Sequence, residues 1–268
     1  MGIPLILESP GPVLVQVGPL ALRWYGLLIS SAVLMGLLLS RQLARGRELD
    51  PDLINRLLVW LMVGSLPAAR LYYVLFEWDR YRNGPWWQVL AIWQGGIAIH
   101  GALLGGGLAV LLFARNQGLS WRQLGSVTDC LMPAVILGQA LGRWGNFFNN
   151  EAYGRVIQAG QGWLVQLRLP TGDLVHPTFL YESLWNLGVF ALLWPLMRRQ
   201  DPWGQPVLPP GSGLGIYLIG YSLGRVWIEG LRTDSLMLGS LRVAQLVSVI
   251  MMVAGALLLW QVRRTAQP

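Results

Sequence analysis

Seven stretches of about twenty mostly apolar residues decide most of what this chain can become. They run over residues 21–40, 53–75, 89–113, 124–141, 177–197, 211–229 and 243–262. A helix rises about 1.5 Å per residue, so each run matches the roughly 30 Å of hydrocarbon in a bilayer. Within each run the apolar residues are continuous rather than alternating, which argues for helices and against a transmembrane barrel. Composition agrees: of 268 residues, 54% are hydrophobic and only 12% charged, about half the charge usual in a soluble protein. The expected fold is an all-α polytopic membrane protein with seven spans, one integral-membrane domain over residues 1–268. No internal repeat is evident. The N-terminal MGIPLILESPGPV has no basic leader and no A-x-A site before the first run, so it is not read as a cleaved signal peptide. Ile6 fails the myristoylation pattern that begins at Gly2.

The formal charge is +7, and all 20 basic residues are arginine. Guanidinium grips phosphate through two parallel hydrogen bonds where ammonium acts as a point charge, so this excess suits anionic lipid headgroups. Nucleic acid is a poor partner, because no long soluble basic segment exists to hold it. Cys130 is the single cysteine; it allows no internal disulfide and reads as a small buried residue. Arginines in alternate connectors divide almost evenly between the two sides, so their count does not set the orientation. The plain connectors RQLARGREL, RNQGLSWRQ, RRQD and VRRT suit a cytoplasmic side. The other side mixes arginine with Gly, Asn, Trp and Tyr and is taken as the outer, functional one, with the N-terminus outside and the C-terminus inside. Two outer segments exceed a simple turn. FEWDRYRNGPWW (76–87) has the composition of an interfacial anchor. Residues 155–176 alternate around Val165–Leu169 and then turn at Pro-Thr-Gly-Asp, which predicts a small β-hairpin over the outer face.

The polar residues near hydrocarbon gather in a few places. In GRWGNFFNNEAYG (142–154) a continued helix would put Arg143, Asn146, Phe147, Asn150 and Glu151 on one face, with Trp144 and Phe148 directed to lipid or another helix. Such a face reads either as an anion site, arginine for charge and asparagine for donors, or as a polar lock between helices with Arg143 paired to Glu151. Ionisable groups at membrane depth favour the first. In YSLGRVWIEGLRTD (221–234), Tyr221, Arg225 and Glu229 are four residues apart and share a face, and Arg232 follows; an internal Arg225–Glu229 pair is expected. His100 lies in GGIAIHGALLGG among glycines, of which Gly101 and Gly105 suit close helix packing. It serves equally as an interhelical hydrogen-bonding group or as a general base. HPTFLYE (176–182) opens the fifth run, with Pro177 suited to a first helical turn, and its polar residues read equally as a start signal or as site residues. Asp129 lies too far from Arg143 to pair with it along one helix. Two histidines and no H-E-x-x-H argue against a metal site, and no G-x-S-x-G serine elbow occurs.

RWYG (23–26), GGIAIHGALLGG (95–106), GRWGNFFNNEAYG, HPTFLYES (176–183) and YSLGRVWIEGLRTD, in this order and spacing, resemble the bacterial prolipoprotein diacylglyceryl transferase family over nearly the whole chain. The resemblance implies a seven-span enzyme of the bacterial inner membrane with an outward site and no metal or nucleotide cofactor. It implies transfer of the diacylglyceryl group of phosphatidylglycerol to the lipobox cysteine thiol of a preprolipoprotein signal peptide, with glycerol phosphate leaving. The implied partners are phosphatidylglycerol, the preprolipoprotein and membrane lipids. Such a reaction needs charge on the leaving phosphate stabilised and a thiol deprotonated. Arg143 and Arg225 are the expected phosphate ligands, with Asn146 and Asn150 as added donors and Glu151 and Glu229 orienting the arginines. His100 is the expected base. Tyr25 and Tyr221 are expected headgroup contacts, and Gly154 and Arg232 complete the substrate-binding set; His176 and Asp129 are secondary candidates. The rival class is a transporter of lipid or small anions, disfavoured by the lack of corresponding broken helices in two halves.

Overall fold

The computed structural model describes residues 4–18, 20–92, 95–158 and 163–266. Residues 93–94 of the expected third run and 159–162 of the expected outer segment lie outside these. Seven helices of eighteen residues or more occur among the described residues: α1 (Trp24–Arg45), α2 (Pro51–Phe76), α4 (Ile99–Asn116), α5 (Trp121–Asn149), α6 (Thr178–Arg198), α7 (Ser212–Glu229) and α8 (Val243–Ala266). A single turn, α3 (Trp78–Tyr81), lies within FEWDRYRNGPWW, and a 3-10 turn (Trp86–Leu90) begins at its end. Five helices, α1, α2, α4, α5 and α8, are long and apolar enough to cross a membrane. The other two long helices stand at the expected places but are less apolar. They carry Glu182 and Asn186 in α6 and Arg225 and Glu229 in α7, so the same residues that lower their hydropathy supply the charged groups described below.

Residues 48–124 form one compact unit. Its α2 and α4 approach through small residues: a Cβ added at Gly64 would stand 2.8 Å from the Gly105 carbonyl oxygen, and one at Gly101 would lie 2.8 Å from Ala69 Cα. The expected packing role of Gly101 and Gly105 is therefore observed. The run 89–113 is not one helix, however. Gly95 and Gly96 adopt φ of 83° and 73°, a left-handed conformation that glycine tolerates, and α4 begins only at Ile99. The non-helical stretch is held by Arg70, a buried residue of α2 that donates to the carbonyls of Gly95 (2.6 Å), Gly96 (2.7 Å), Val89 (2.9 Å) and Gln88. The carbonyls of Gly95 and Gly96, which lie outside any helix, are thereby satisfied.

The second unit comprises residues before 48 and after 124. The expected hairpin is present: β4 (Val165–Arg168) pairs antiparallel with β5 (Leu174–Val175). An unexpected partner extends it, because β1 (Leu5–Glu8) lies parallel to β4 in the register Leu5 with Val165. The inward residues Leu167, Leu169 and Val175 pack with Phe147 of α5 and Phe179 of α6, which moves Phe147 from the expected polar face into an apolar cluster. β2 (Val13–Val17) with β3 (Leu20–Arg23), and β6 (Met237–Leu238) with β7 (Leu241–Arg242), make two further antiparallel pairs. Helices α6 and α7 close on glycine: the Trp185 indole covers Gly224 and donates to the Gly220 carbonyl at 2.8 Å.

The GRWGNFFNN helix ends at Asn149, and Asn150 follows at φ 53°. The Glu151 N–H donates to Asn146 O (3.0 Å) and the Asn150 N–H to Phe147 O (3.2 Å), the paired bonds of a Schellman stop. Asn150 and Glu151 therefore do not continue the polar face of α5, as a longer helix would require. Asparagine is the side chain best suited after glycine to that left-handed position.

Candidate functional site

Three guanidinium groups meet at one carboxylate. Glu182, one turn into α6, is 4% exposed at its side chain and accepts from Arg143 Nη2 of α5 at 2.7 Å. Arg225 Nη1 of α7 reaches both Glu182 oxygens at 3.1 Å. Arg232 Nη1, in the turn after α7, reaches Oε1 at 3.3 Å. Arg225 also pairs with Glu229 at 2.6 Å, the expected i,i+4 contact. Arg232 makes a two-pronged contact with Asp234 at 2.9 and 2.7 Å. Its hydrogen bond to Arg232 holds the Asp234 carboxyl below the usual carboxylate range. The Arg143 and Arg225 side chains remain 20% and 16% exposed.

The carboxylate partner of Arg143 is thus Glu182, and the alternative Arg143–Glu151 lock is not the arrangement adopted. Glu151 instead accepts from Asn146 (3.0 Å) and Asn149 (3.2 Å), while Asn146 Oδ1 accepts from Arg143 at 3.4 Å. Glu151 therefore reaches Arg143 through an amide rather than directly. Trp144 does meet another helix, its Nε1 donating to Ser183 Oγ at 3.2 Å, and Phe148 stacks on Trp24 at 4.4 Å.

Other expected residues are brought to the same region. The Tyr25 ring lies on Gly145, where an added Cβ would stand 2.7 Å from Tyr25 Cε2; glycine there is what lets α1 and α5 approach. Tyr221, one turn before Arg225, stacks on Tyr217 with centroids 5.8 Å apart. Gly154 donates its N–H to His176 O at 2.9 Å and bridges to Arg232. An added Cβ at Gly154 would stand 2.6 Å from His176 Cβ. The contacts of Gly154 are those of a backbone fastening between three segments. Thr178 Oγ1 donates to Ala152 O at 2.6 Å and Arg155 N–H to Leu231 O at 2.9 Å, which completes that fastening.

Three candidates stand elsewhere. Asp129 is fully buried, accepts from Arg47 at 3.1 Å, and also accepts the N–H groups of Gly211 (3.0 Å) and Gly213 (2.7 Å) at the start of α7. It caps a helix. His176 is buried against Trp163 (4.5 Å) with Nδ1 at 3.4 Å from the Tyr181 hydroxyl. Burial, helped by the Arg155 charge, pushes its imidazole below the ordinary 6.5. His100 belongs to the unit of residues 48–124; it opens α4, is exposed, and stacks on Tyr72 at 5.7 Å.

Two residues of the centre are not among the expected site residues, although HPTFLYE leaves Glu182 open as either a start signal or a site residue. Glu182 is the hub, yet its partners lie 39, 43 and 50 positions away in sequence. The signal available was charge balance, since three arginines near hydrocarbon require a shared buried acid. Arg242 is the other: it donates to Glu229 O (2.6 Å), Arg232 O (3.0 Å) and Ser235 Oγ, pinning the turn that carries Arg232.

Comparison with known proteins bears on what this centre serves. A family model described as prolipoprotein diacylglyceryl transferase matches residues 12–261. A phosphatidylglycerol–prolipoprotein diacylglyceryl transferase of Synechococcus elongatus is 55% identical over 262 residues, covering 96% of this chain and 89% of its own. One of a Nostoc species is 54% identical over 256 residues, with 93% and 89% covered. One of Gloeobacter violaceus is 53% identical over 261 residues, with 96% and 94% covered.

Proposed function

Because the chain belongs to the prolipoprotein diacylglyceryl transferase family, we infer that it transfers the diacylglyceryl group of phosphatidylglycerol to the lipobox cysteine of a preprolipoprotein signal peptide. The observation that carries this reading into chemistry is the meeting of Arg143, Arg225 and Arg232 on one buried carboxylate. In the reaction the bond between the diacylglyceryl carbon and the phosphate oxygen breaks and a carbon–sulfur bond forms. The electron pair of the broken bond stays with the phosphate, so a singly charged diester becomes a more highly charged monoester. Guanidinium groups stabilise that added charge in a medium of low dielectric.

Arg143 and Arg225 are assigned the phosphate. Arg232 and Asn146 support it, Glu229 aligns Arg225, and Glu151 aligns Asn146. Tyr25 and Tyr221 are assigned to the headgroup, and Asn150 and Gly154 to the frame around it. The thiol proton is assigned to the His100 imidazole. The seven long helices are the spans, in the bacterial inner membrane, with the N-terminus outside, the C-terminus inside, and the arginine cluster and residues 155–176 toward the outer face.

The test mixes purified protein, phosphatidylglycerol and a lipobox peptide and reads the peptide mass. Gain of a diacylglyceryl thioether, absent with a Cys→Ser peptide, is the expected result. No product in that mixture would sink the assignment. His100→Gln should slow transfer by about a hundredfold, and full turnover in that variant would remove His100 as the base.

A further inference from the structure

The arginine cluster already holds an anion, and that anion belongs to the protein. Arg143, Arg225 and Arg232 carry three positive charges against three carboxylates, Glu182, Glu229 and Asp234. Glu229 and Asp234 each serve one arginine, whereas Glu182, 4% exposed, serves all three. Both Glu182 oxygens are engaged. A phosphate diester resembles this carboxylate: one negative charge spread over two oxygens, of similar bite, and matched to the guanidinium fork. With Arg242 and Glu151 included the intact cluster is balanced, and adding the phosphate would leave one negative charge in excess in a poorly solvated place, which is unfavourable. The substrate phosphate must therefore take over arginine contacts that Glu182 makes.

Resting on the function inferred above, we propose that Glu182 is an exchange partner for phosphate: it occupies Arg143 and Arg225 when no lipid is bound, yields them to the substrate phosphate, and reclaims them to expel glycerol phosphate. Its partners permit exchange, because they are side chains that can turn rather than fixed backbone groups. Expulsion is the harder half. Glycerol phosphate carries nearly two charges at neutral pH, as other phosphate monoesters do, and would bind three guanidinium groups more tightly than the diester does. A tethered carboxylate competes at high effective concentration without diffusing to the site. Glu182 is thus a positioning residue acting through the arginines, and no covalent step is assigned to it.

The role predicts an unusual direction of change. Glu182→Gln removes the internal competitor while keeping size, so anions should bind more tightly. In nanodiscs of phosphatidylcholine, calorimetric titration with glycerol phosphate should give a Kd about tenfold lower in Glu182→Gln than in the unmodified protein. With phosphatidylglycerol and lipobox peptide, the variant should show lower KM and lower kcat, with release limiting. A purely structural carboxylate predicts the reverse, weaker binding from disordered arginines. Equal or weaker glycerol phosphate binding in a folded Glu182→Gln overturns the proposal. Should that variant fail to fold, Glu182→Asp takes its place, since a side chain one methylene shorter cannot span all three arginines; tighter binding supports exchange and equal or weaker binding overturns it. The binding arm needs no turnover. Absence of thioether product from the unmodified protein would therefore count against the inferred function alone, and unchanged binding against Glu182 alone.

Discussion

One unit of this chain contains two buried charge centres, and α5 contributes to both. Asp129 and Arg143 stand fourteen residues apart on it, about 21 Å along the axis. At the first, Asp129 meets Arg47 with side chains 0% and 2% exposed. At the second, Glu182 meets three arginines, two of which keep 20% and 16% exposure. Both centres balance their formal charge. They differ in where the acid spends its lone pairs. Asp129 spends most of them on N–H groups of Gly211, Gly213 and Leu214, which cannot leave without unwinding α7. Glu182 spends its lone pairs on the side chains of Arg143, Arg225 and Arg232. A buried acid tied to backbone is a fastening; a buried acid tied only to side chains can change partners, as proposed for Glu182.

The largest expected effect tests the second half of that contrast. Arg143→Ala or Arg225→Ala should lower transfer by about a thousandfold, the usual loss when a group stabilising transition-state charge is removed. Glu182 keeps two arginines in either variant, so helicity and thermal midpoint should change little in Arg143→Ala, whereas Arg225→Ala also leaves the buried Glu229 without its arginine and should lower the midpoint as well. Near-normal turnover in Arg143→Ala would show the centre to be structural after all. Asp129→Ala should behave oppositely. It leaves Arg47 buried without its acid and the start of α7 uncapped, a loss of about 3–5 kcal/mol, read as a lower thermal midpoint and yield. Turnover per folded molecule should be unchanged. A well-folded Asp129→Ala without activity would place Asp129 in the catalytic machinery and erase the distinction.

The contrast also explains what sequence could and could not reveal. Most helix positions were legible because apolarity is a local property; the stop at Asn149 was not, since the sequence reads as a helix that could continue through Asn150 and Glu151. The break before α4 was visible only as Gly95 and Gly96; the residue that exploits it, Arg70, lies 25 and 26 positions away. Arg143 and Arg225 stood out because a charge near hydrocarbon is conspicuous by itself. Glu182 stood out less, since the sequence of HPTFLYE reads equally as a helix start or as a site. Its role exists only through α5, α6 and α7 together. The parallel pairing of β1 with β4 was hidden likewise, since Leu5 and Val165 are joined only by the folded chain.

The smallest effect concerns the frame of the second centre. His176 lies just before α6, buried, with its carbonyl taken by Gly154 and its backbone N–H given to Arg155 O. Burial, with the Arg155 charge beside it, keeps its imidazole neutral below the ordinary 6.5. The sign follows from proton counting. Above that value neither folded nor unfolded chain protonates this residue, and His176 makes no pH-dependent contribution. As pH falls below it, the unfolded chain takes up a proton that the folded one resists, so stability declines. Thermal midpoints compared between about pH 8 and about pH 5 should therefore fall more in the unmodified protein than in His176→Gln. Equal slopes would mean that His176 protonates freely in place, so that the fastening around Gly154 yields to charge and the frame of the arginine site is looser than that of Asp129.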